Sequence, residues 1–117
     1  MSLNRRQILT YAAAACSLPA MASAASDNKP MQFIVPFGPG GSGDISARML
    51  AEWITKKTGR SVVVENKPGA NGIIGVEAAR KAPADGSVLL LATTSTHLAN
   101  PYLFKKLPYD PGKDFRL

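Results

Sequence analysis

One cysteine stands among 117 residues, at position 16 in an alanine-rich N-terminal run. That count excludes an internal disulfide, a Cys-x-x-Cys redox pair and a cysteine-built zinc cage. One histidine, His97, leaves no histidine pair for a metal, and no carboxylates cluster along the chain. No G-x-S-x-G elbow is present, and neither Ser42 nor Ser95 has an evident base, which argues against a hydrolase. The leading reading therefore carries no catalysis, no metal and no cofactor.

Acidic residues are also few: 8 against 14 Lys and Arg, for a net charge of +6. The basic pairs Lys56-Lys57, Arg80-Lys81 and Lys105-Lys106 stand apart, near predicted element ends. The helix dipole favours cations at such C-terminal ends. No aromatic residues interleave with them, so nucleic acid is not an expected partner. A modest positive field suits an anionic solute.

No apolar run is long enough to span a bilayer. Residues 1–24 instead read as an export signal. Arg5 and Arg6 form a basic start, Ile8 to Met21 is mostly apolar, and Ala22-Ser23-Ala24 offers small residues for cleavage after Ala24. Asn4-Arg5-Arg6-Gln7-Ile8-Leu9 resembles a twin-arginine signal, with an ordinary Sec signal as the alternative. Cys16 follows four alanines, a faint lipoprotein-like pattern with Ala13 where leucine is expected. Cleavage after Ala24 removes the cysteine and leaves residues 25–117.

The most informative stretch of that remainder is MQFIVPFGPGGSG, residues 31–43. An apolar strand opens into a glycine-rich loop, and a helix pattern begins at Asp44. Glycine allows close backbone approach, and a helix start presents unpaired N–H groups at a positive dipole end. This combination predicts a site for a small anion. Gly38, Gly40 and Gly43 also match G-x-G-x-x-G, and Glu65 follows about 20 residues later, the outline of a dinucleotide fingerprint. It is not a P-loop, because Asp44 occupies the lysine position.

Periodicity predicts alternating strands and helices. Strand one is 32–35. Helix one is 44–57, with Ile45, Met49, Leu50, Trp53 and Ile54 on one apolar face, Ser42 or Gly43 as N-cap, and Gly59 as the stop. Strand two is 61–65, whose unbroken Val62-Val63-Val64 suggests cover on both faces. Residues 66–72 form a second glycine-rich turn. Helix two is 73–81 and strand three is 88–92. This βαβαβ order implies a parallel sheet with flanking helices. Ligands of such sheets sit beyond the strands' carboxyl ends. Three loops meet that condition: 36–43, 66–72 and the hydroxyl-rich 93–97.

FIVPFGPGGSGDISAR, VVVENKPGANGIIGVEAARKAPADGSVLLLATTS and NPYLFKKLPYDPGKDF resemble the solute receptors of tripartite tricarboxylate transporters, the Bug-type periplasmic binding proteins. The similarity runs over nearly all of residues 31–116. It implies a type II periplasmic-binding-protein fold, capture of a small carboxylate, and delivery to a membrane permease from the periplasm. In that family the first strand–helix loop and facing helix starts hold a ligand carboxylate through backbone amides and water. By position, Phe37, Pro39, Gly40, Gly41, Ser42 and Asp44 would line the first wall of the cleft. Ala70 and Asn71 would come from the second loop, and Ser95 from the third. Gly38 departs from relatives with two prolines before the glycine pair. Family members run to roughly 300 residues, so residues 25–117 are expected to be the N-terminal part of domain one, without the second domain and the C-terminal return. Two alternatives stay open for such an N-terminal portion: a piece that binds a carboxylate by itself, or a truncated copy that is non-functional alone.

The residues leave some roles open. Asp44 could accept a ligand hydrogen bond or order its own loop. His97 could touch ligand or be structural. Trp53 is expected in the core, and Asn100-Pro101 and Tyr109-Asp110-Pro111 are expected turn formers. The alternative function is an exported NAD(P)-dependent oxidoreductase using Gly38, Gly40 and Gly43, with Glu65 as its ribose acid. Pro39, which stiffens the loop, and the second block, NKPGANG, fit it poorly.

Overall fold

The computed structural model describes residues 29–116. The export signal and Cys16 lie outside the described residues. The elements are β1 (Met31–Val35), α1 (Ser42–Thr58), β2 (Val62–Asn66), a 3-10 turn (Ala70–Gly72), α2 (Ile73–Lys81), β3 (Val88–Leu90), a wide helical turn (Ser95–Ala99) and α3 (Asn100–Leu103). The strands form one parallel sheet in the order β2-β1-β3. Val35 is in register with Asn66, and Ile34 with Leu90. All three strands therefore end at one edge. The ladder continues past them through Lys67 N–H to Val35 O at 2.8 Å and Leu91 N–H to Ile34 O at 2.9 Å.

The sheet's centre is the core. Side chains alternate along a strand, so Phe33 and Val35 face one side and Ile34 the other. All three are buried, at 4%, 0% and 2% exposure. Burying each stabilises the fold by about 1.5–3 kcal/mol relative to exposure. Phe33 and Val35 pack with Ala47 of α1, and Val62, Val64, Leu89 and Leu91 complete that layer. The short α2 lies against β1 and β3, with Val76 fully buried.

Helix α1 uses its small residues for this contact. Ala47 and Ala51, four residues apart, are buried, while Ile45, Met49, Leu50 and Trp53 are 55%, 68%, 44% and 57% exposed. The predicted apolar face therefore points to solvent among the described residues, and Trp53 is not in the core. Periodicity found a real stripe, but a second stripe of small residues lets the helix approach the sheet closely, and that stripe won. Lys57 Nζ lies 5.9 Å from the Trp53 ring, a cation–π distance.

Other expectations are corrected by position in the sheet. β2 is an edge strand, and Val63 is 53% exposed, so β2 is not covered on both faces. The N-cap of α1 is Gly41, with extended backbone and no side-chain cap, one residue before the predicted pair. The segment after β3 is helical where loop and turn were expected. Asn100 begins α3 and is fully buried, and Pro101 follows it in the first turn. Tyr109 is buried as well, at 5% exposure.

Candidate ligand site at the strand ends

Three loops leave the carboxyl edge of the sheet and meet one another. The close approach centres on Gly72, which has φ +85°. A Cβ there would lie 2.7 Å from Thr96 Cγ2, 3.3 Å from Pro36 Cβ and 3.5 Å from Phe37 Cζ. Only glycine supplies both that backbone conformation and that space. Gly75 is pinned by space alone: its Cβ would come within 2.8 Å of Pro36 Cα and 2.9 Å of Lys67 O. The first, second and third loops are thus in van der Waals contact. In this topology the order of connection reverses between β1 and β3, where a crevice opens beyond the strands.

The first loop is ordered from beneath by Asp44. Its side chain is 5% exposed. Oδ2 accepts the Gly40 N–H and Arg48 Nε, each at 3.0 Å, and Oδ1 accepts Asn66 Nδ2 at 3.0 Å. Asn66 Nδ2 also donates to Phe37 O at 3.1 Å, and Arg48 Nη2 donates to Asn66 Oδ1 at 3.2 Å. The Arg48 hydrogen bond, helped by those from Gly40 and Asn66, lowers the Asp44 pKa to about 2. Asp44 is therefore a carboxylate whose acceptors serve the loop. Gly40, at φ +86°, turns its N–H inward to it.

The amides that open α1 stand outside that network. The first intrahelical bond of α1 is Ile45 N–H to Gly41 O at 3.0 Å. The N–H groups of Ser42, Gly43 and Asp44 precede it and have no partner within the helix. They open a helix of 17 residues, and the dipole makes that end favourable for an anion. Gly38, Pro39, Gly40, Gly41 and Ser42 are exposed and Phe37 half-buried. Gly43 serves packing, since a Cβ there would meet Leu91 Cδ2 at 2.9 Å.

In the second loop Ala70 and Asn71 are exposed and both left-handed, at φ 46° and 53°. In the third, Ser95 is half-buried and Thr94 exposed. Thr96 is fully buried and ties the turn together: its Oγ1 accepts the Thr93 N–H at 3.1 Å and donates to Thr93 O at 3.1 Å. The predicted site residues thus come from three loops that the fold brings to one edge. Two others are placed elsewhere. His97 lines a groove of about 500 Å³ beside β3, its Nδ1 2.9 Å from Thr96 Oγ1 and its ring against Phe115. Burial lowers its pKa. Glu65 pairs with Lys67 at 2.6 Å and accepts from Gln32.

Sequence reasoning missed Asn100 and Tyr109 as parts of this architecture. Asn100 Oδ1 accepts Asn71 Nδ2 at 2.7 Å, and its Nδ2 donates to Asn71 O and to Tyr109 Oη, both at 3.1 Å. Tyr109 Oη donates to Thr96 O at 2.6 Å. Both residues sit in the NPYLFKKLPYDPGKDF block, but no local pattern tells a buried amide from a turn former.

The geometry also bears on the dinucleotide outline. A nucleotide-binding half of that kind runs 3-2-1, with the second strand in the middle. Here β1 is in the middle, and Glu65 already has two partners. Among the described residues, no helix is long and apolar enough to cross a membrane.

Residues 46–117 match the family described as the tripartite tricarboxylate transporter family receptor. The match starts inside α1, downstream of the first loop. Protein BugT of Bordetella pertussis is 48% identical over 87 residues, covering 74% of this chain and 27% of BugT. Among solved structures, the periplasmic binding protein BugD is 41% identical with a TM-score of 0.69, over 74% of this chain and 28% of BugD. MatC from Rhodopseudomonas palustris, with bound malate, is 36% identical with a TM-score of 0.70, over 74% of this chain and 29% of MatC. The chain spans about a third or less of the length of these relatives. The family match, these likenesses and the βαβαβ sheet agree: the chain belongs to the tripartite tricarboxylate transporter receptor family.

Proposed function

We propose that this chain builds one wall of a periplasmic receptor that holds a small carboxylate for a tripartite-type membrane permease. The observation that carries the reading is the convergence of three strand-end loops around Gly72, beside the free amides that open α1. A carboxylate fits such a place because backbone N–H groups and a helix dipole stabilise negative charge without a buried cation. The amides of Gly41, Ser42 and Gly43 and the Ser42 hydroxyl would contact it. Phe37 and Pro39 would shape the first wall, Ala70 and Asn71 the second and Ser95 the third. Gly40 and Asp44 would act by ordering the first loop. Residues 1–24 would direct export and be removed after Ala24, leaving residues 25–117 as a portion of domain one. The work of such a site is capture and release, with no bond made or broken. The malate bound to MatC supports the ligand class.

The test is a titration of the 117-residue chain with malate, citrate and benzoate, and separately with NAD and NADP, read by calorimetry and melting temperature. A ligand that binds only the folded state raises the melting temperature with concentration. Stabilisation by a carboxylate, lost in a variant with Ser42→Pro at the helix start, is the expected result. Stabilisation by NAD or NADP alone would overturn the reading.

A further inference from the structure

Two consecutive non-glycine residues, Ala70 and Asn71, hold left-handed backbone at φ 46° and φ 53°. For each, Cβ crowds the neighbouring carbonyl, so an isolated turn of this kind relaxes to the right-handed or extended region. Surrounding structure must hold it. The contacts that do so converge on Asn100. This side chain is fully buried and grips Asn71 twice, accepting from Nδ2 at 2.7 Å and donating to the main-chain O at 3.1 Å.

The direction of that grip is itself determined. Thr96 O needs a donor, and Tyr109 Oη supplies it at 2.6 Å. The Tyr109 proton is thereby used, so Oη must accept from Asn100, which makes the atom facing it Nδ2. Oδ1 is then left for Asn71 Nδ2. The chain Thr96–Tyr109–Asn100–Asn71 links the third loop to the second through buried side chains, and the next residue after Asn71 is Gly72, where the loops meet.

We infer that Asn100 is a positioning residue for the carboxylate site: it holds the left-handed Ala70–Asn71 turn in place, with Tyr109 setting the orientation of its amide. This rests on the carboxylate-receptor reading for what the turn is held for, but not for the clamp itself. Asn100 lies behind the turn and acts on ligand only through Asn71.

The experiment separates the two. In the ligand-free 117-residue chain, backbone chemical shifts and three-bond HN–Hα couplings of residues 70 and 71 report positive φ directly. The same samples are titrated with malate by calorimetry, and their melting temperatures recorded. Four variants are compared with the parent: Asn100→Ala, Tyr109→Phe, which keeps ring packing against Phe115, Asn71→Gly, and Asn71→Gly with Asn100→Ala. Asn100→Ala is expected to lose the left-handed signature and to weaken malate binding about tenfold, the equivalent of one lost buried hydrogen bond. Tyr109→Phe is expected to do the same to a smaller degree. The double variant is expected to bind malate as tightly as Asn71→Gly alone, because glycine takes the left-handed turn unaided, while its melting temperature stays low. A merely structural role for Asn100 predicts the opposite: affinity follows melting temperature, and the double variant binds more weakly than Asn71→Gly. Retention of positive φ in Asn100→Ala, or a double variant that folds but binds malate more weakly than Asn71→Gly, overturns the inference. Should Asn100→Ala not fold, Tyr109→Phe with and without Asn71→Gly decides by the same two readouts. Absence of malate binding in the parent, with the φ signature still dependent on Asn100, counts against the ligand reading and leaves the clamp standing.

Discussion

Asn66 Nδ2 lies 3.0 Å from Asp44 Oδ1 and 3.1 Å from Phe37 O, so one amide at the end of β2 ties down both ends of the loop that follows β1. The same side chain accepts from Arg48. Replacing Asn66 by Ala removes the tie. Replacing it by Asp also sets a second carboxylate against Asp44 with no proton to donate. We expect Asn66→Asp to lower the melting temperature more than Asn66→Ala, and both to speed amide exchange at Gly38–Gly41. Equal melting temperatures for the two variants would show that the Asp44 charge is not felt at this position.

Stability is expected to fall with acid in two stages of the same sign. Burial lowers the His97 pKa below its ordinary 6.5, so the folded state disfavours the protonated ring. Its contribution is present above pH 6.5 and declines as pH drops below that value. The second stage is carboxylate protonation. Asp44 has its pKa lowered from 3.8 to about 2, so its contribution is lost between those two values. Glu65, paired with Lys67, and Glu77, paired with Lys81, are also lowered from 4.5. Melting temperature measured across pH 7 to 2 checks this, and His97→Asn should flatten the first stage while leaving the second.

Two glycines, Gly75 in α2 and Gly38 in the first loop, should respond oppositely to alanine. Gly75→Ala drives a methyl into Pro36 Cα and Lys67 O, backbone atoms of two loops that cannot move independently. A cost of about 1–3 kcal/mol is expected from such overpacking. Gly38 has open space around its Cβ position and no positive φ. Gly38→Ala should therefore be neutral or stabilising by up to about 1 kcal/mol, through the unfolded chain. Chemical denaturation of both variants decides it.

Trp53, the single tryptophan, reports on the face of α1. At 57% exposure it should show red-shifted emission and ready quenching by acrylamide in the folded chain. Trp53→Ala should change stability by less than about 1 kcal/mol, as for surface substitutions. A blue-shifted, protected emission would mean that something covers Ile45, Met49 and Trp53.

Much of this protein is legible along the chain because the relevant physics is local. Apolar runs of β1 and β2, the glycine-rich turns between them and the helix over Ile73–Lys81 are set by backbone preference and hydrophobic period, and they stand where those features place them. Parallel order follows from strand–helix alternation, and with it the gathering of three loops at one edge. What only the tertiary structure decided is which of two local choices survives packing. The Ala47–Ala51 stripe took the sheet and left Trp53 outside, because close approach of helix to strand outweighs the size of any one side chain. Asp44 became a loop anchor because Asn66, 22 residues away, arrives beside it with Arg48. Asn100 and Tyr109 were drawn inward because the left-handed turn at Asn71 and the free carbonyl of Thr96 need partners that no neighbour in sequence supplies.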